Sequence, residues 1–406
     1  MADSKNTLLE KRPLLKKRMQ VGYGDAVVVA PTTVPYVRYS TKSAHWFLAQ
    51  ALAGSLKASG LVKEQIDGLC VSSFQLVPDT AVGLTQHLGV TPRWLDHLPM
   101  GGACGVVALR RAARAVQMGD ANVVACISGD ANHVDTFRQM LGNFSQYARD
   151  AVYPYGSGGP NASFAFLTDY YMRNFGATRE DFGKLCVAQR TNSLANPNGM
   201  FKKPLTLDDY MNAREIARPI HLFDCVMPCA GGEGFMVMRR EQAETLGLAY
   251  AEIASTIERH NAYPEDPIQM RGGWAMDVDE LYETADATPQ DVDFFCTYDD
   301  YPIINVMQLE DLGFCEKGEA PQFIRDHSFT WDGDLPMNPS GGQLSAGQAG
   351  AAGGYLGLVE AIRQLTDDPV GHQVKDAQLG LVSGFGMINY DRGLCTAAAL
   401  LRRAQA

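Results

Sequence analysis

Two aromatic-acidic pairs stand together at Tyr298–Tyr301 (YDDY), directly after the apolar run DFFCT at Asp293–Thr297. A phenol beside a carboxylate at a strand end can take up and return a proton, and Tyr298 with Asp299 is the candidate pair. The same groups can instead satisfy loop amides. Cys104 stands at the start of a helix expected over Gly105–Met118, where the positive end of the helix dipole favours a thiolate; a free cysteine also packs well at such a start. His133 follows GDAN, just past the end of the strand expected over Asn122–Ser128, and is a candidate substrate contact. Cys225 and Cys229 lie four apart, but no second Cys/His pair follows at zinc-like spacing, so no metal is expected in this chain.

Phosphate-holding chemistry has its own cluster. Lys184, Arg190, Lys202, Lys203, Arg214 and Arg218 gather in a stretch that also holds Asn196. They suit a phosphorylated cofactor or substrate, or a solvated basic face. Gly341 and Gly342, with the glycines that follow, let backbone approach a ligand or turn tightly.

The elements that must position these groups alternate between buried strands and helices. Helices are expected over Ala44–Ser59, Gly105–Met118 and Tyr355–Leu365; strands over Ile66–Ser72, Asn122–Ser128, Asp293–Thr297 and Gln378–Ser383. Glycine, helix, then buried strand occurs twice: Gly101–Gly102 leads to a strand ending SGD, and Gly341–Gly354 to one ending SGFG. That echo points to two related βαβ halves in an α/β fold. Between them the texture changes to Tyr, Asn, Pro and polar residues. The expected organisation is a basic leader at 1–20, a first half at 21–133, an inserted covering domain at 134–227, the end of the first half at 228–250, and a second half at 251–406.

Composition bounds the function. With 406 residues, 46% hydrophobic and 20% charged, disordered and fibrous classes are excluded. A formal charge of -11 repels phosphate backbones and anionic bilayers, so neither nucleic acid nor membrane is the expected partner. No apolar run is long enough to span a bilayer. Nine cysteines without paired spacing read as reduced thiols in a cytoplasmic protein.

Leu56–Ser73 (LKASGLVKEQIDGLCVSS), Gly101–Asp130, the stretch from Asn196 to Cys225, Tyr298–Glu319 (YDDYPIINVMQLEDLGFCEKGE) and Asn338–Gly354 (NPSGGQLSAGQAGAAGG) occur in this order. Together they resemble the thiolase superfamily, in its lipid-transfer-protein or sterol-carrier-like branch. LEDLGFCEKGE is the most branch-specific piece. The resemblance implies duplicated βαβ halves in a five-layered αβαβα core beneath a covering loop domain. It implies coenzyme A as part of the substrate with no covalently bound cofactor, a homodimer, and a small zinc-ribbon/OB-fold acyl-CoA-binding subunit as partner.

The thiolase catalytic groups are missing. Counting the family's helix back from Gly119 places its nucleophilic cysteine at Gly102; Cys104 is two residues late. The histidine of the family's Gly-His-Pro turn corresponds to Gln348, and the acid/base cysteine of its Cys-x-Gly turn to Ser383, followed by Gly384. The Tyr-Asp pair at 298–299 resembles that of the steroid side-chain aldolases, which cleave a β-hydroxyacyl-CoA without a covalent intermediate. Tyr298 is then the base or proton relay if its environment lowers its pKa, Asp299 orients it or acts directly, and Gln348 or backbone amides stabilise an enolate. Arg190, Asn196, Lys202, Lys203, Gly341, Gly342, Ser383 and Gly384 are the expected coenzyme A contacts. The leading expectation is a retro-aldol carbon–carbon lyase. A thiolase-type acyltransferase using Cys104 and a non-catalytic acyl-CoA-binding scaffold remain as alternatives.

Overall fold

A computed structural model describes residues 21–76, 79–132, 153–156, 159–389 and 392–405. The expected leader and His133 lie outside the described residues. The first half runs β1 (Ala26–Val37), α1 (Ala44–Ser59), β2 (Gly68–Ser72), α2 (Ala81–Leu88), β3 (Trp94–His97), α3 (Cys104–Met118) and β4 (Val123–Asp130). An excursion carries α4 (Pro160–Phe175), α5 (Arg179–Ser193), α6 (Leu207–Met211), β5 (Glu215–Ala217) and β6 (Ile220–His221), and the half closes with β7 (Ala230–Arg239) and α7 (Arg240–Thr245). The second half runs β8 (Tyr250–His260), α8 (Trp274–Ala285), β9 (Phe294–Cys296), α9 (Pro302–Asp311), α10 (Ala320–Asp326), α11 (Gly342–Ala346), α12 (Gly353–Leu365), β10 (Leu379–Asn389) and β11 (Arg392–Arg403).

Nine strands form one mixed sheet in the order β3-β2-β4-β7-β1-β8-β11-β10-β9. Its two wings repeat one plan outward from the centre. In each wing the inner helix (α3 or α12) feeds a strand (β4 or β10) that pairs antiparallel with a later strand (β7 or β11) and parallel with a short outer strand (β2 or β9). The seam between wings is narrow: Val27–Val29 of β1 pair with Tyr250–Glu252 of β8.

Burial explains the layering. α3 and α12 share a fully buried cluster with residues of both wings, including Val106, Val107, Leu358 and Ile362 with Val124, Phe235, Val382 and Ala399. They touch so closely that a Cβ on Gly105 would lie 2.1 Å from the Gly354 carbonyl oxygen. α1 packs Phe47, Leu48, Ala51 and Leu52 on the outside of the first wing. The other flank buries Trp274 and Leu281 of α8, and Ile304 and Leu309 of α9, together with helices of the excursion. Helix, first wing of the sheet, helix pair, second wing, helix is the layer order.

Helix α1 has the expected bounds, and α3 is led by a 3-10 turn over Gly101–Ala103 and ends at Gly119 in the left-handed conformation (φ 81°). The expected strand Gln378–Ser383 is longer, since β10 runs on to Asn389. Its glycines do not end it: they admit the turn before α3, because a Cβ on Gly384 would stand 2.6 Å from the Gly102 carbonyl and one on Gly386 2.4 Å from that of Met100. All nine cysteines are free thiols. No helix among the described residues is long and apolar enough to cross a membrane.

Candidate active site

A cavity of about 200 Å³ opens where the turn before α3 meets the end of β10. Gly101, Gly102 and Phe385–Ile388 line one side; Tyr298, Asp300 and Tyr301 come from the segment between β9 and α9, and Ile304 from the first turn of α9. Pro160, Asn161 and Phe164 at the start of α4, with Cys225, Val226 and Pro228, cover it, and Phe74 and Gln348 complete the wall. The lining is mainly apolar: Phe164 stacks on Tyr301 (centroids 4.3 Å apart), and Phe385 stacks on Trp274 (5.5 Å). The Tyr301 hydroxyl donates to the side-chain oxygen of Asn161.

Tyr298 is fixed before its ring chemistry begins. Its amide donates to Gln308 Oε1 (3.1 Å), and Gln308 Nε2 donates back to its carbonyl (2.8 Å). Ser383 donates its hydroxyl to the same Gln308 oxygen. The ring then lies directly over Gly102, where a Cβ would meet its Cε2 at 1.9 Å and Cζ at 2.1 Å. The phenol donates to Asp300 Oδ2 at 2.8 Å. Burial first, then the Asp300 charge and hydrogen bond, hold Tyr298 well above its ordinary pKa, against a smaller opposing pull from Gln348. Tyr298 is therefore a protonated phenol at neutral pH and a hydrogen-bond donor to Asp300; the lowered pKa that a tyrosine base requires does not occur here.

The two aspartates diverge. Asp300 is in the cavity wall, its other oxygen Oδ1 is buried without a hydrogen-bond partner, and burial raises its pKa to about 7. Asp299 is also pushed up by burial to about 7, but its oxygens accept the amides of Gln343 (2.8 Å) and Leu344 (3.1 Å) at the start of α11. It is fully buried and does not line the cavity. Tyr298 and Asp300 meet on the cavity side, whereas Asp299 turns to the start of α11.

Gln348 reaches the cavity, its backbone held by Met227 and Cys229 (2.9 Å each). Cys104 does not: its thiol is fully buried, donates to the Ala351 carbonyl (3.1 Å), and is held well above the ordinary thiol pKa by burial. A nucleophilic thiolate at this position is at odds with that environment. Of the expected coenzyme A contacts, none lines this cavity. Ser383 and Gly384 position Tyr298 and the turn before α3. Gly341 and Gly342, both at positive φ, lie against Ser193 and Asp299. Asn196 is buried and donates to the Ser340 carbonyl (3.1 Å), and Lys202 caps the carbonyls of Asn196 (2.8 Å) and Pro197 (3.1 Å). Lys203 is exposed. Arg190 is buried yet pairs with no carboxylate among the described residues; its guanidinium lies 4.1 Å over the Phe201 ring and donates to Ser345 (3.3 Å) and the Lys203 carbonyl (3.4 Å).

The LEDLGFCEKGE stretch proves to be a support. Lys317 bridges Glu310 (3.0 Å) and Asp311 (2.7 Å), Glu310 accepts the hydroxyl of Tyr171 on α4, and Asp311 accepts the Gly272 amide. This network anchors the far end of α9, whose near end carries the cavity residues. Among the described residues no group of His, Cys, Asp and Glu is arranged to hold a metal ion.

Residues 259–395 match the family described as thiolase C-terminal domain-like. The chain is 31% identical to the steroid side-chain-cleaving aldolase of Thermomonospora curvata over 364 residues, 85% of this chain and 91% of that protein. It is 29% identical to the 17-hydroxy-3-oxo-4-pregnene-20-carboxyl-CoA lyase of Mycobacterium tuberculosis, over 84% of this chain and 92% of that one. A solved structure titled Ltp2-ChsH2(DUF35) aldolase superposes with a TM-score of 0.81 at 28% identity, covering 94% of this chain and 98% of its own.

Proposed function

The chain belongs to the thiolase superfamily, in the branch of the steroid side-chain-cleaving aldolases, and from that premise we propose that it cleaves a β-hydroxyacyl-CoA by retro-aldol chemistry. Asp300 Oδ1 takes the β-hydroxyl proton as the Cα–Cβ bond breaks. The β-carbon leaves as an aldehyde or ketone, and the bonding electrons pass into the thioester enolate. Gln348 and the turn at the N-terminus of α3 supply donors and positive potential to the enolate oxygen. The proton gained by the Tyr298–Asp300 pair is then delivered to Cα, giving the shortened acyl-CoA. The proton count closes within the pair, with no external reductant or oxidant.

One observation carries this reading: the Tyr298 ring fills the space above Gly102 where a nucleophilic side chain would project, and its hydroxyl engages a carboxylate with a free buried oxygen. An acyl-enzyme route through Cys104 would need a buried thiol, held protonated, to reach a cavity it does not line. For the coenzyme A moiety, the unneutralised guanidinium of Arg190 is the best-supported phosphate holder, with Lys203 beside it. Pairing with a small DUF35-type zinc-ribbon/OB-fold subunit, and a homodimeric core, are parts of the same reading. Incubation with β-hydroxyacyl-CoA thioesters, with such a subunit added, tests it: carbonyl and acyl-CoA appear together in equal amounts. Turnover only of 3-oxoacyl-CoA plus free coenzyme A would replace it with a thiolase.

A further inference from the structure

Asp130 takes no part in the chemistry above, yet this buried carboxylate at the end of β4 collects donors from two stretches on either side of the cavity. Oδ1 accepts the Ser73 hydroxyl (2.6 Å) and the amides of Phe74 (3.1 Å) and Gln75 (3.2 Å). Oδ2 accepts the Ala351 amide (2.8 Å), from the other half of the molecule. Gln75 adds a second clasp, accepting the Ala131 amide (3.0 Å) and donating to its carbonyl. Phe74 and Gln348 line the cavity from these two stretches. Gly350, between Gln348 and Ala351, is at φ 58°, and a Cβ there would stand 2.3 Å from Asp130 Oδ2. The close approach requires glycine. Ala351 is gripped from its other side too, by the Cys104 thiol on its carbonyl.

We infer that Asp130 is a positioning residue: it ties the Gln348–Ala351 loop of the second half to the Phe74 loop of the first, and so sets where the Gln348 amide stands over the thioester oxygen. The inference rests on the retro-aldol reading for its kinetic consequence, and on geometry alone for the tether. A carboxylate suits the position because only an acceptor without hydrogens can serve four donors at once. In Asp130→Asn the side chain keeps its size but turns N–H groups toward N–H groups.

A double-mutant cycle with hydrogen exchange tests it. Asp130→Asn should lower kcat roughly tenfold or more, the scale of one charge-assisted hydrogen bond. In a Gln348→Ala background the same substitution should cost less than about twofold, because the group it positions is gone. The amides of Phe74, Gln75 and Ala351 should exchange roughly tenfold faster in Asp130→Asn than in the native protein. Should that variant fail to fold, Ser73→Ala removes one donor and leaves the carboxylate; a smaller kcat loss with faster exchange at residues 74–75 is expected. Equal kcat losses in both backgrounds, or unchanged exchange at Ala351, would overturn the inference. If the native protein releases no carbonyl from β-hydroxyacyl-CoA while exchange responds as described, the tether stands and the retro-aldol reading fails.

Discussion

Asp299 and Asp300 are neighbours in sequence, and burial raises both to about 7, although Asp299 is fully buried and Asp300 half-buried. Their partners differ too. Asp299 spends its oxygens on the two amides that start α11, whereas Asp300 gives one oxygen to the Tyr298 phenol and leaves the other unpartnered in the cavity wall. A raised pKa alone therefore does not distinguish these two carboxylates; their partners and the place of Asp300 in the cavity wall do. The two aspartates of this short segment make different contacts, one holding the α11 loop in place and the other joining Tyr298 at the cavity, where the proposed mechanism uses it as the base.

Substitutions on the two sides should separate these roles. Asp300→Asn removes the proton acceptor and should lower kcat by about 10²–10⁴-fold, the range for general acid–base catalysis, with little change in thermal midpoint. Gly102→Ala comes next: its Cβ displaces the Tyr298 ring, so a kcat loss of about 10²-fold is expected, with circular dichroism still showing a folded chain. Asp299→Asn should act on stability, costing about 1–3 kcal/mol in denaturant unfolding as one of two buried amides loses its acceptor. Its kcat should fall far less than that of Asp300→Asn.

The pH profile sharpens the contrast. Asp300 must be ionised to accept a proton, and it is protonated below about 7. The rate should therefore rise as pH increases through about 7 and then level off. Asp299→Asn should keep that acid limb, and Asp300→Asn should erase it in the residual activity. Stability runs in the opposite sense at Glu233, whose pKa burial raises from 4.5 to about 8. Its contribution is fully present below about 4.5 and lost as pH climbs through about 8. Glu233→Gln should thus raise the thermal midpoint at pH 9 relative to native, and change it least at pH 5.

Much of the architecture was legible in sequence because it rests on period and punctuation. Helix α1 is amphipathic and ends at Gly60, and the repeated glycine-helix-strand units correspond to the two wings. β10 was read short because Gly384 and Gly386 look like strand breakers, while their purpose is to let β10 lie against the turn before α3, a contact between halves invisible to local pattern. At the site, the YDDY cluster was visible, but which aspartate meets the cavity is decided by the bonds of Asp299 to the amides that start α11, a contact distant in sequence that no local pattern carries. Cys104 sits at a helix start as expected, yet nothing local tells that its thiol points to the Ala351 carbonyl rather than to substrate. Asn161 and Phe164, brought over the cavity by the excursion, carried no motif at all.

Cleavage through the Tyr298–Asp300 pair without an acyl-cysteine is tested by carbonyl release from a β-hydroxyacyl-CoA by Cys104→Ala, beside the native protein and Asp300→Asn. Cys104→Ala should stay within about threefold of native while Asp300→Asn loses about 10²-fold or more. Loss of cleavage in Cys104→Ala, with an acyl adduct on the native protein by intact mass, would contradict it.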